Sequence, residues 1–252
     1  MRTRYMSLLG LLGLLGRGAP ALGQQRPAPE PLAAAVEAAK ARYNRSFVGS
    51  PQLYNGPEYV DYSLRYHART GHQFFATPEK MPGSVYYNDH FFPDLRLAYD
   101  VVLDQVIIQQ PTSPLNLRFL NEQVRYFTLD NHRFIRLEAD SSKGRVISPG
   151  YYEMLVDDSH LQLLAKRAKK LQEVPAQGFL NVEFTAVDKF YLKKEGVYSP
   201  INGKGAILRS FADHRKEVQQ YIKTKNLRFG KSDYDASVGE LARYYVSLLP
   251  PQ

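Results

Sequence analysis

The sequence predicts a β-rich α+β fold: a large, curved antiparallel meander sheet with an N-terminal helix and a C-terminal helical hairpin. Three observations carry this. Between Gly83 and Leu137, short apolar–polar alternations are separated by polar two-residue turns, the signature of antiparallel strands. The chain has 18 Tyr and 13 Phe but no Trp, and many of these rings fall in the alternations, where facing side chains stabilise a sheet pairwise. Beyond about residue 211 the period changes, with Tyr234, Val238, Leu241, Ala242, Tyr245, Leu248 and Leu249 lying on one helical stripe.

Residues 1–23 read as a signal peptide. Arg2 and Arg4 form a basic start, Met6–Gly16 is apolar, and Ala21-Leu22-Gly23 supplies small residues for cleavage before Gln24. The apolar run is too short to cross about 30 Å of hydrocarbon, and no later stretch is long enough, so no transmembrane segment is expected in the mature chain. Residues 24–31, rich in proline, read as a tether. Leu32, Val36, Ala39 and Tyr43 recur at helical spacing, so a short amphipathic helix is expected over Pro31–Tyr43. Residues 32–252 are then one β-rich domain ending in the helical hairpin, at about 211–249.

Within the meander, Asn88-Asp89 is a two-residue turn that sets Tyr86 opposite Phe91 and Val85 opposite Phe92. A second turn at Asp130-Asn131 pairs Tyr126 with Ile135 and Val124 with Leu137 on one face, and Phe127 with Phe134 on the other. The same register places Arg125 opposite Arg136, an unfavourable pair that is expected to face water. Leu95, Leu97 and Tyr99 alternate with polar or small residues, and Asp104-Gln105 turns the chain into Val106–Ile108. A further hairpin is expected from Tyr151–Val156 and His160–Lys166 across Asp157-Asp158. Leu171–Gly178 reads as a linker or mobile loop. Strands follow around Val182–Val187, Lys189–Lys193 and Val197–Pro200, with Lys194-Glu195-Gly196 as a turn. In the helical end, Asp213–Asn226 brings Val218, Tyr221, Ile222 and Lys225 to one face, and Ser232 is placed to cap the last helix.

Several chemistries are excluded or poorly supported. With no cysteine, there are no disulfides, thiolate metal sites or cysteine nucleophiles. The six histidines, at 67, 72, 90, 132, 160 and 214, lack metal-ligand spacing, and His90, His132 and His160 follow turns, where a polar residue is ordinary. No phosphate loop, nucleophile elbow or dinucleotide fingerprint is present, and Gly203-Lys-Gly205 is too short to serve as one. No catalytic residue, metal or cofactor is assigned. Asp89, Asp94, Asp100 and Asp104 offer an acid–base pair only if the fold gathers them.

Charge is the stronger signal. The formal net charge is +8, and Leu161–Lys231 holds 15 Lys and Arg against 6 Asp and Glu, so the excess is local. It is densest at Lys166, Arg167, Lys169 and Lys170. Such a run is ordinarily a solvated face; the sharper expectation is a surface for anionic envelope material such as phospholipid headgroups or acidic glycans. An exported chain makes nucleic acid an unsuitable partner.

Gly83-Ser-Val-Tyr-Tyr-Asn88, Leu97-Ala-Tyr-Asp100, Phe127-Thr-Leu-Asp-Asn-His-Arg-Phe134 and Leu164-Ala-Lys-Arg167, with the export signal, resemble a group of uncharacterised exported β-rich proteins of the Bacteroidota. The resemblance covers most of the mature chain. It implies a shared fold and a location in the periplasm or outer envelope, and carries over no catalytic residue. The chain ends on a helix and Pro-Pro-Gln, unlike the aromatic-terminated strand of an outer-membrane barrel. The functional expectation is non-enzymatic binding, either of a lipid or other apolar ligand on an aromatic-lined sheet face or of an outer-membrane protein partner. The alternatives are an accessory subunit of an outer-membrane complex and an envelope polymer hydrolase using paired carboxylates.

Overall fold

Ten strands pair side by side in one antiparallel sheet whose order departs from the order of the chain. The computed structural model describes residues 51–138 and 147–250, with Val36 the single described residue before them. The expected signal peptide, the tether and the rest of the Pro31–Tyr43 helix lie outside the described residues. The sheet contains β2 (Met81–Tyr87), β3 (His90–Asp100), β4 (Gln105–Gln109), β5 (Asn116–Arg118), β6 (Val124–Leu129), β7 (His132–Leu137), β8 (Gly150–Asp157), β9 (Leu161–Lys166), β12 (Lys189–Lys194) and β13 (Val197–Pro200). Their spatial order is β13-β12-β9-β8-β7-β6-β2-β3-β4-β5. Gly83–Leu137 is therefore not one continuous meander. The chain runs outward through β5, then returns by Asn121–Gln123 to lay β6 on the free side of β2.

The short turns set the register. Asn88 and Asp89 have φ of 48° and 62°, the left-handed pair of a type I′ hairpin, and Val85↔Phe92 and Tyr86↔Phe91 pair as expected. Asp130 has φ 48°, and Tyr126↔Ile135 and Phe127↔Phe134 follow. The two arginines of that hairpin do not share one environment. Arg125 is exposed and reaches Asp89 at 2.6 Å, while Arg136 is mostly covered and donates to Glu138 at 2.9 Å.

Three corrections come from pairings that local pattern does not reveal. Leu171–Gly178 is no loop: β10 (Lys169–Ala176) pairs antiparallel with β11 (Phe179–Ala186), and the short β1 (Arg69–Thr70) adds in parallel to give a second, three-stranded sheet. Gln177 and Gly178 form its tight turn at φ 36° and 86°. Pro175 and the mixed polar pattern disguise β10, whose order comes from its partner. A helix the pattern did not show, α1 (Gly203–Ser210), precedes α2 (Arg215–Thr224) and α3 (Tyr234–Ser247). Ser232 does not cap α3: the N-cap is Asp233, and no side chain caps that end. Instead Ser232 Oγ donates to Asp233 Oδ2.

The two largest cores among the described residues lie along the large sheet. In the first, Tyr99, Phe127, Phe134 and Tyr151 are fully buried. Phe127 and Phe134 stack at 4.8 Å, and Tyr99 and Tyr151 meet them edge-on at 5.1–5.3 Å, favourable aromatic geometries. In the second, Leu161, Leu163, Ala165, Phe190 and Leu192 receive Ile207, Phe211, Val218, Ile222, Val238, Leu241 and Tyr245 from the helices. The stripe expected on α3 is thus the face that packs on the sheet. Among the described residues, no helix is long and apolar enough to cross a membrane.

Gly83 is a close approach between strands, since a Cβ there would lie 2.0 Å from the Thr128 carbonyl oxygen. Gly83→Ala is expected to destabilise the protein by about 2 kcal/mol or more, because backbone must move to admit it. Urea unfolding measures this, and a change under about 0.5 kcal/mol, the usual range of neutral surface substitutions, would contradict the close approach.

Candidate functional site

The second core is interrupted by charge. Phe134, Glu153, Ala165 and Phe190 follow one another across adjacent strands, so Glu153 stands in an otherwise apolar row between the aromatic core and the helix-covered core. Its side chain is 4% exposed. A carboxylate in that position needs strong partners. His132 Nδ1 lies against one oxygen at 2.5 Å, and Arg167 Nε donates to the other at 2.5 Å.

Arg167 lies just past the end of β9 and is itself buried. It also donates through Nη1 to Asp188 at 2.8 Å and through Nη2 to Asp235 at 2.6 Å. One planar guanidinium thereby joins β8, the β11–β12 connection and the first turn of α3. Only arginine has the fork of donors for three carboxylates at once. Burial disfavours its charge, but Glu153, Asp235 and Asp188 outweigh burial and hold its pKa above the usual arginine value. Asp188 also accepts from the Ala168 amide at 3.1 Å, and Asp235 sits where a helix N-terminus favours negative charge.

Above this cluster opens a cleft of about 440 Å³. Phe190, Phe229 and Tyr234 wall it, Asn202, Lys231 and Ser232 stand at its sides, and Arg167, Asp188 and Asp235 line its charged part. Tyr234 meets Phe190 edge-on at 4.9 Å. Its hydroxyl accepts from the Gly203 amide and donates to the Ile201 carbonyl, so the ring is fixed in place. Burial pushes the Tyr234 pKa up.

The expected basic run is divided by the fold. Arg167 belongs to the buried cluster. Lys166 Nζ donates to Asp104 at 2.7 Å, beside the Tyr99 hydroxyl that donates to the same carboxylate at 2.6 Å. Lys169 Nζ donates to the His72 and Phe74 carbonyls at 2.8 and 2.6 Å, and its burial lowers its pKa against the pull of Asp188 and Asp100. Lys170 is exposed. Of the four cations expected to meet anionic material, Lys170 alone is exposed, while the other three have internal acceptors.

Of the aspartates considered for a hydrolase, Asp89, Asp94 and Asp100 are not gathered, and Asp104, at the same turn as Asp100, is taken up by Lys166 and the Tyr99 hydroxyl. Asp94 and Asp100 lie six residues apart along β3, about 20 Å at strand rise, and Asp89 sits at the far turn. Asp100 is fully buried as the acceptor that closes the β3–β4 turn. It takes the Val102 and Leu103 amides at 2.9 and 3.0 Å and the Tyr59 hydroxyl at 2.9 Å. The aromatic face expected to hold an apolar molecule is filled by its own rings. Asp188, Asp235 and Phe229 were not singled out by sequence pattern, and Tyr234 only as a member of the apolar stripe of α3. The only local hint is an acid in the first turn of a helix, which is common.

Removing Arg167 leaves Glu153 buried without its cation. Arg167→Met is expected to cost about 3–5 kcal/mol, and Arg167→Met with Glu153→Gln should recover much of it in urea unfolding; a double variant as unstable as the single would contradict the pairing. Asp100 supplies a pH test. Burial raises its pKa above the unfolded value of about 3.9, so the folded chain binds the proton more tightly and its contribution is lost as pH rises through the folded pKa. The stability gap between wild type and Asp100→Asn should therefore be widest below about pH 4 and narrow toward neutrality. A gap that widens over that interval would refute the raised pKa.

No protein-family model, curated protein or solved structure matches the chain.

Proposed function

We propose that this is an exported, non-enzymatic binding protein of the cell envelope, and that the cleft beside Arg167 holds its ligand. The ligand is a small molecule with an apolar body and a hydrogen-bonding end. One observation carries the reading: an aromatic-walled cleft of about 440 Å³ stands over an ion cluster whose charges already have partners. Size and lining match those of small-molecule sites, which are mostly apolar with a few fixed polar groups. The same pairing argues against catalysis. Asp188 and Asp235 each accept from a guanidinium, and the Tyr234 hydroxyl is engaged on both sides, so none of these three stands as a free base or nucleophile.

The envelope location rests on the basic, apolar and small-residue segments of residues 1–23 and on the resemblance to exported proteins of the Bacteroidota. Relative to an apolar carrier on the aromatic sheet face, the binding place moves to the helix side of the sheet.

The test is native mass spectrometry of the protein purified gently from the envelope of an expressing host, beside Phe229→Ser. The wild type is expected to carry a bound small molecule that the variant loses while keeping its thermal stability within a few degrees. A bare wild-type chain, or equal retention by the variant, would overturn the assignment of the cleft.

A further inference from the structure

The β10–β11 hairpin has an unusual end. Val174-Pro-Ala-Gln-Gly-Phe-Leu180 carries no charge, and Phe179, Val174 and Leu180 are 58%, 40% and 39% exposed among the described residues. β1 pairs with Val182 and Glu183 of β11, and the His67 amide still donates to the Leu180 carbonyl, so only the turn and the residues beside it project beyond the third segment. Its backbone pairs register by register up to Ala176↔Phe179, while the outer edge of β10 stays unpaired, so the strands themselves suit the hydrated headgroup layer and only side chains reach apolar depth. His67 stacks on the Phe179 ring at 4.3 Å and holds it outward as a fixed side chain.

The charges behind the tip are arranged for one kind of partner. Glu173, the first acid below it, accepts from the Tyr66 hydroxyl at 2.6 Å and pairs with Arg65 at 3.3 Å, so its charge is offset. Arg65 and Arg69 are exposed beside the outer half of the hairpin, and Lys170 and Lys189 further back toward its base, against Glu173, Glu183 and Asp188. The three apolar side chains expose on the order of 250 Å², well short of the roughly 800 Å² per partner of a stable protein interface. A bilayer surface needs no such area, because shallow insertion of a few apolar side chains acts together with attraction of basic residues to anionic headgroups.

We propose that the β10–β11 hairpin is a membrane-docking finger: Val174, Phe179 and Leu180 enter the interfacial region of an anionic lipid surface, and Arg65 and Arg69, nearest the tip, face its headgroups. This surface is separate from the cleft and shares with the proposed function only the envelope location, so each can fail alone.

The absence of tryptophan provides the test. Phe179→Trp places a single reporter on the finger, and Phe91→Trp places one at another exposed aromatic position as the control. The protein, purified from an exporting host, is mixed with phosphatidylethanolamine vesicles containing phosphatidylglycerol, with and without brominated acyl chains. The reporter at 179 is expected to shift to the blue and be quenched by the brominated lipid, while the one at 91 does neither. Val174→Ser with Leu180→Ser should reduce sedimentation with vesicles about tenfold without altering the circular dichroism spectrum. Absence of vesicle binding by the folded protein, or binding that leaves the reporter at 179 unquenched, would overturn the proposal. A shift seen only with detergent-extracted envelope protein would overturn it too, and would make the finger a protein contact.

Discussion

Arg167 is the residue on which the second half of the molecule depends. It is buried in the seam between an aromatic core and a helix-covered core, and three carboxylates from separate parts of the chain converge on it. Desolvating Arg167 and Glu153 is costly, and hydrogen bonding that includes the more exposed Asp188 and Asp235 offsets that cost. The bonds hold because Glu153 is in a strand, Asp188 follows a strand directly, and Asp235 opens a helix. Ordering any one of these without the others would leave a buried charge unpaired, so the cluster couples α3 to the sheet beyond what apolar packing alone specifies.

The cleft is a consequence of that coupling. A solid apolar contact could have closed the space between the β11–β12 connection and the start of α3. The ion cluster instead occupies its inner side, and Phe190, Phe229 and Tyr234 stand around it. Walls fixed in this way suit recognition, since little ordering remains when a ligand enters. A matching economy of charge appears at Asp104, where the Tyr99 hydroxyl and Lys166 converge and where Gly150, at φ 136°, leaves room that a Cβ would take from the Asp104 carboxylate.

The two hairpins at Asn88-Asp89 and Asp130-Asn131 were legible because a two-residue turn and strict alternation leave few registers open. The last helix was legible for the same kind of reason, its stripe having one packing face. β10 was not, because Pro175 and its polar residues lack a pattern of their own; pairing with β11 makes it a strand. α1 was hidden as well, since two glycines in Gly203-Lys-Gly205 weaken its local preference and burial of Ile207 supports it. The candidate site was the least legible part. A run of four cations reads as one basic surface, yet successive residues on and beyond a strand point in different directions, and each cation met a different environment.

By itself, then, the sequence determined the β-rich class, the turns, most hairpin registers and the apolar face of the last helix, all of which follow from interactions between residues near in the chain. Tertiary structure alone decided that β6 returns to β2, that β10 and β11 leave the large sheet, and that Lys166, Arg167 and Lys169 turn inward. The physical reason is common to all three. Strand order and charge pairing are settled between groups tens of residues apart, where the choice depends on which desolvated groups find partners, and local periodicity holds no record of that.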